Sequence, residues 1–82
     1  MPDEILSQFD KNSTEQIRIS QTIFKGLDLI DVRCYYQDDK GELRPTKKGL
    51  MLKPQVFAEL VAHSLKALDT LGIHVPDLVE EG

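Results

Sequence analysis

Eight residues in the first two thirds of this chain have types suited to one kind of chemistry: Arg18, Phe24, Lys25, Arg33, Tyr36, Arg44, Lys47 and Lys48. Aromatic faces stack on unpaired bases of any sequence, and neighbouring cations follow a phosphate backbone. Each residue alone also has an ordinary reading. Phe24 could be an aromatic tucked under a turn, and each cation a solvated surface charge. Gathered within one short segment, they point instead to contact with a single nucleic-acid strand. Other chemistries find less support. Asp38 and Asp39 lie in a turn signal without a catalytic partner, so no enzyme activity is expected. Lys47-Lys48-Gly49 lacks the glycine spacing of a phosphate-binding loop. His63 and His74 stand apart, with no cysteine or carboxylate at ligand spacing, so neither a metal nor a cofactor is expected.

The elements that must position these residues are short strands. Ile17, Ile19, Gln21 and Ile23 alternate with Arg18, Ser20, Thr22 and Phe24, which puts Phe24 on the polar face beside Arg18. Lys25-Gly26 supplies a turn. Leu29 to Tyr36 reads as a second strand, with Ile30, Val32, Cys34 and Tyr36 on its apolar face and Leu29, Asp31, Arg33 and Tyr35 on the other. Asp38-Asp39-Lys40-Gly41 is a hairpin signal. Glu42 to Arg44 starts a third strand, which Pro45 keeps short or at a sheet edge. Thr46 to Gly49 reads as a basic turn and Leu50 to Leu52 as a short fourth strand. A helix then begins near Pro54 and ends at Gly72. Its stripe of Val56, Phe57, Leu60, Val61, Leu65, Leu68 and Leu71 is wide for one helix on a small sheet. Residues 1–15 are expected to form an N-terminal arm or a short amphipathic helix, residues 16–72 the domain, and residues 73–82 a tail or docking arm.

Charge follows the same division. The 82 residues carry a net charge of −4, which taken whole argues against nucleic acid. Residues 16–53, however, hold eight Lys/Arg against five Asp/Glu, a local charge of +3. Counterion release responds to local cations, so the basic centre matters more than the acidic ends. A chain this short buries a thin core. Its single cysteine, Cys34, cannot close an intramolecular disulfide and reads as a small core thiol. Oligomerisation is the remaining common way to stabilise so small a domain. No apolar run approaches a membrane span and no secretory signal follows Met1, so a location in the cytoplasm or nucleoid is expected.

Five stretches then acquire a common meaning: Phe24-Lys25-Gly26, Leu29 to Arg33, Tyr35-Tyr36, Asp38 to Pro45 and Lys47-Lys48-Gly49. Together they resemble the C-terminal domain of the transcriptional coactivator positive cofactor four, over roughly residues 17–71. The resemblance implies an α+β fold: a curved four-stranded antiparallel sheet followed by one C-terminal helix, in a symmetric homodimer. Helices would pair across the two-fold axis, and the helix's wide apolar stripe offers Phe57, Leu60, Val61, Leu65 and Leu68 for that dimer interface. The two sheets would form grooves that hold single-stranded DNA in opposite directions. The resemblance places Phe24 in the groove, Tyr36 at the family's base-stacking tryptophan and Tyr35 at a family tyrosine. Strand alternation instead puts Tyr36 in the core, and a bulge or bend near the strand end would reconcile the two.

Lys25, Arg33, Arg44, Lys47 and Lys48 match basic positions of the family pattern. Arg18 does not, and its candidacy rests on the strand face it shares with Phe24. Leu27 and Thr22 stand where the family has a lysine and an arginine, which implies a less basic groove and a weaker salt dependence. The large regulatory N-terminal segment of eukaryotic members is absent, so a compact bacterial or phage-type protein is expected. Its partners would be single-stranded DNA, a second copy of itself, and proteins of transcription, replication or recombination. The competing expectation is a protein-interaction or dimerisation module that does not touch DNA, suggested by the acidic ends and the apolar segment Ile73 to Val79.

Overall fold

The computed structural model describes residues 4–78. Four strands form one antiparallel sheet in chain order, β1 (Glu4–Asp10), β2 (Glu15–Phe24), β3 (Leu27–Gln37) and β4 (Leu43–Leu52), followed by the helix α1 (Pro54–Leu71). The expected α+β class, with a four-stranded antiparallel sheet and one C-terminal helix, is the fold observed.

Two parts of the sheet are made from different residues than alternation suggested. Glu4–Asp10 forms an edge strand along β2, neither a free arm nor a helix. The reason lies in the loop that follows. The Asn12 side-chain oxygen accepts hydrogen bonds from the backbone N–H groups of Thr14 and Glu15, at 3.0 and 2.8 Å. An asparagine that caps its own turn in this way closes a hairpin, and the closed hairpin delivers β1 to the edge of β2. The other correction concerns β4. Glu42 to Arg44 and Leu50 to Leu52 are not separate strands joined by a basic turn. Glu42 lies in the turn, Leu43 to Leu52 form one strand, and Thr46, Lys47 and Lys48 form an irregularity within it.

That irregularity is a bulge. Arg33 pairs with Gly49 and Tyr35 with Pro45, so Cys34 alone stands opposite Thr46, Lys47 and Lys48. β4 is an edge strand, where Pro45 removes no needed ladder bond. The β2–β3 ladder has no such shift and runs in register from Glu15↔Tyr36 to Phe24↔Leu27. Its two-residue turn holds Lys25 at φ 53° and Gly26 at φ 79°. Positive φ at both central residues is the hairpin turn whose twist matches the strands.

The helix has the ends the sequence implies. Pro54 occupies its first turn, and Gly72 adopts the left-handed conformation at φ 72°. There the Ile73 N–H donates to the Leu68 carbonyl at 2.9 Å. The helix touches only β3 and β4. Phe57 and Leu68 are half-buried, and no helical residue is fully buried. Among the described residues, Cys34 at 4 % exposure is the only buried apolar side chain. Ile73 to Leu78 continues without regular structure and lies exposed. No helix of the described residues is long and apolar enough to cross a membrane.

Candidate nucleic-acid interface

The regular β2–β3 ladder decides which side chains share a face. Arg18, Ser20, Thr22 and Phe24 of β2 stand on the same face as Leu29, Asp31, Arg33 and Tyr35 of β3. Ile17, Ile19, Ile30, Val32, Cys34 and Tyr36 stand on the other. Phe24 and Tyr36 therefore lie at opposite ends of the ladder and on opposite pleat faces. Both rings are open to solvent, Phe24 at 54 % and Tyr36 at 43 % exposure. Alternation alone would bury Tyr36. It stays exposed because its cross-strand neighbours are Glu15 and Arg44, which supply no apolar cover. The irregularity that was expected near this strand end exists, but on β4. It does not move Tyr36 to the other face of β3.

The cations fall into two groups. Arg33 and Arg44 are both paired with carboxylates, Arg33 part-buried and Arg44 exposed. Arg33 forms an ion pair with Asp31 at 3.0 Å, with the two side chains 20 % and 10 % exposed. Its Nη1 also donates to the Thr46 carbonyl at 2.9 Å. The hydrogen bonds to Asp31 raise the Arg33 pKa, against an opposing push from burial. Arg44 Nε donates to Asp38 Oδ2 at 2.9 Å, and its Nη2 lies 3.3 Å from Glu42 Oε1. The Arg44 guanidinium holds the Asp38 carboxyl below the usual carboxylate range, helped by the backbone N–H groups of Glu42 and Lys40. Those same N–H groups close the β3–β4 turn on Asp38 Oδ1, each at 2.9 Å.

Lys25, Lys47 and Lys48 form the second group. None of them makes an ion pair among the described residues. Lys25 sits at the hairpin tip, with its ammonium 5.4 Å from the centre of the Phe24 ring. Lys47 and Lys48 are pushed out by the bulge and exposed. Arg18 belongs with neither group. It is half-buried, and its guanidinium lies over the Tyr35 ring, 4.7 Å from the centroid.

Thr46 and Gly49 build the bulge; the sequence reading puts both in a basic turn and gives neither a role in shaping the site. The Thr46 hydroxyl donates to the Cys34 carbonyl at 2.8 Å and accepts from the Lys48 N–H at 3.1 Å. Gly49 has no positive φ, so its need for glycine is close approach. A Cβ there would lie 2.5 Å from the Val32 carbonyl oxygen and 3.1 Å from the Arg33 guanidinium carbon. A glycine directly after two lysines on an edge strand is the available signal, since strand glycines mark bulges and close backbone contacts. Among the described residues, no three His, Cys, Asp or Glu side chains converge as metal ligands. His63 lies on the helix surface, 3.6 Å from Glu59.

Comparison with known proteins finds the same sequence pattern and fold elsewhere. Residues 11–63 match the family model described as Transcriptional Coactivator p15 (PC4). The chain is 38% identical over 72 residues to the RNA polymerase II transcriptional coactivator SUB1 of Saccharomyces cerevisiae, covering 83% of this chain and 24% of that protein. It thus spans about a quarter of the length of the yeast relative. Among solved structures it is similar to BPSL1147, a PC4 homolog from Burkholderia pseudomallei. In that crystal structure's orthorhombic form the TM-score is 0.74 at 29% identity, over 79% of this chain and 88% of the other. The bacteriophage T5 homolog of the eukaryotic transcription coactivator PC4, implicated in recombination-dependent DNA replication, shares the fold. Its TM-score is 0.62 at 22% identity, over 87% of this chain and 80% of the phage chain.

Proposed function

Because this chain belongs to the PC4 family, we propose that it binds single-stranded DNA with little sequence preference, as a homodimer, without catalysing a reaction. The observation that carries the reading is the exposure of two aromatic rings together with three lysines that lack carboxylate partners. Phe24 and Tyr36 leave large rings in water, and Lys25, Lys47 and Lys48 have no carboxylate partner among the described residues. Rings take bases by stacking, and lysines take phosphates as point charges. Arg33 and Arg44 contribute differently. Their carboxylate partners already neutralise them, so they shape the β4 bulge and the β3–β4 turn that present the lysines. The setting is nucleic-acid metabolism inside the cell, with transcription the nearer parallel because the yeast relative is a transcriptional coactivator.

Surface area supports the homodimer reading. The chain exposes 6942 Å². A folded monomer of its 9.3 kDa mass exposes ~5,000 Å² by the usual size scaling. The excess, about 2,000 Å² per chain, is of the size that obligate homodimers bury. Leu60, Val61 and Leu65 contribute to it on the open side of the helix. A second copy of the helix hides that stripe and gives both copies a core.

The deciding measurement is fluorescence anisotropy with an oligothymidine, a mixed-sequence single strand and a duplex of equal length. Both single strands should bind tightly and alike, and the duplex more weakly. A curved sheet offers no element shaped for a major groove. Equal affinity for the duplex at moderate salt would defeat this reading. Binding of neither form would favour a protein-interaction module.

A further inference from the structure

Arg18 and Arg33 stand directly opposite each other across the β2–β3 ladder. Like charges in that position destabilise a sheet. Asp31 relieves half of the conflict by pairing with Arg33. Arg18 has no such relief. Its neighbour on β1 is the neutral Gln8, and among the described residues no carboxylate lies within ion-pairing range of it. Its Nε donates to Gln16 Oε1 at 2.9 Å, and its guanidinium rests over the Tyr35 ring. A guanidinium placed over a ring can still direct its terminal N–H groups outward. The Nη1 and Nη2 groups make no side-chain or carbonyl hydrogen bond among the described residues. This half-buried cation is held in place, stripped of part of its water, and not neutralised.

We propose that Arg18 and Tyr35 form a nucleotide subsite on the polar face of the sheet. The terminal nitrogens of Arg18 take one phosphodiester of the bound strand, and Tyr35 holds the guanidinium in orientation. The subsite rests on the single-strand reading above and adds a contact separate from Phe24, Tyr36 and the bulge lysines. Its position suits the task. Arg18, Arg33 and Gly49 lie in one cross-strand row, so Arg18 is two strand spacings, about 10 Å, from β4 where Lys48 emerges. A strand that crosses the sheet past the bulge passes the Asp31-paired Arg33 and then meets Arg18. A stacked arginine loses less side-chain freedom on binding than a free lysine, and its planar fork matches two phosphate oxygens.

The test uses the full chain, a labelled oligothymidine and a salt titration. Arg18→Gln should weaken binding about five- to tenfold and lower the salt slope by roughly 0.7, the value of one phosphate on a single strand. Arg18→Lys should keep the slope and regain only part of the affinity, because the charge remains and the fork is lost. Tyr35→Leu should weaken binding with the slope unchanged. In the wild-type chain, the oligonucleotide should slow phenylglyoxal modification of Arg18, read by peptide mass spectrometry. That readout holds even where a variant fails to fold. Wild-type affinity and slope in Arg18→Gln, or no protection of Arg18 by bound oligonucleotide, would overturn the subsite and leave the parent reading standing. A wild-type chain that binds no single strand would remove both.

Discussion

Arg33 on β3 and Thr46 on β4 are joined by a 2.9 Å hydrogen bond from the guanidinium to the Thr46 carbonyl. The contact sits where the two strands lose register. Asp31 holds the other edge of the same guanidinium, and the Thr46 hydroxyl returns a bond to the Cys34 carbonyl. The β4 bulge is thus a built feature, anchored from β3, that displaces Lys47 and Lys48 outward. Bulges commonly re-aim side chains next to functional sites.

Removing this anchor should cost stability before it affects charge. Arg33→Ala leaves the buried Asp31 carboxylate unpaired, an expected loss of about 3 kcal/mol in urea denaturation. Asp31→Asn should be milder, because the amide can still accept from Arg33. Gly49→Ala should destabilise comparably to Arg33→Ala, since its Cβ meets backbone that cannot yield. If Arg33→Ala melts like wild type, the anchor is not structural.

Stacking and charge should separate in binding. Phe24→Ala and Tyr36→Ala should each lose about 1–3 kcal/mol of single-strand affinity with the salt slope unchanged. The double change Lys47→Ala, Lys48→Ala should flatten the slope by roughly 0.7 for each phosphate that is no longer neutralised. Anisotropy titrations at several salt concentrations measure both. A flattened slope in Tyr36→Ala would mean that the ring acts by positioning cations.

Assembly should respond to the open stripe of α1. The unfolding midpoint of the wild-type chain should rise with protein concentration. Leu65→Glu, placed where the wild-type side chain is half exposed, should lower both dimer content and DNA affinity. Light scattering and anisotropy on the same sample test the link. A stable micromolar monomer that binds DNA at full strength would separate the two properties.

The β3–β4 turn should carry an acid-sensitive element. Asp38 is ionised more readily in the fold than in the unfolded chain, chiefly through the Arg44 hydrogen bond. A carboxyl with a lowered folded pKa stabilises fully above its unfolded value, near 3.9 for aspartate, and loses that contribution as pH falls through the folded value. The turn should therefore hold from neutral pH down to about 4 and weaken only below it. Asp38→Asn should remove that part of the acid dependence in thermal melts from pH 2 to pH 7. An unchanged profile would exclude the Asp38–Arg44 pair as its source.

Local signals in the sequence sufficed for much of this protein. The alternation in Ile17 to Phe24 and Leu29 to Tyr36, the Lys25-Gly26 turn, Pro45 at an edge, and the helix from Pro54 to Gly72 all follow from neighbouring residues. The runs around Phe24-Lys25-Gly26 and Lys47-Lys48-Gly49 pointed to the family for the same reason. The tertiary structure decided what depends on distant partners. Glu4–Asp10 has weak strand character by itself and becomes β1 because the Asn12-capped turn delivers it to the open edge of β2. The residues from Leu43 to Leu52 become one strand because β3 pairs with both halves and Arg33 grips the bulge between them. Which cations remain free was likewise invisible in composition. Arg33 and Lys47 carry the same charge, but Asp31 neutralises only the first, and strand pairing brings Arg18 opposite Arg33 with Tyr35 beneath it. An isolated sequence lists charges, whereas their availability depends on which carboxylates the fold places beside them.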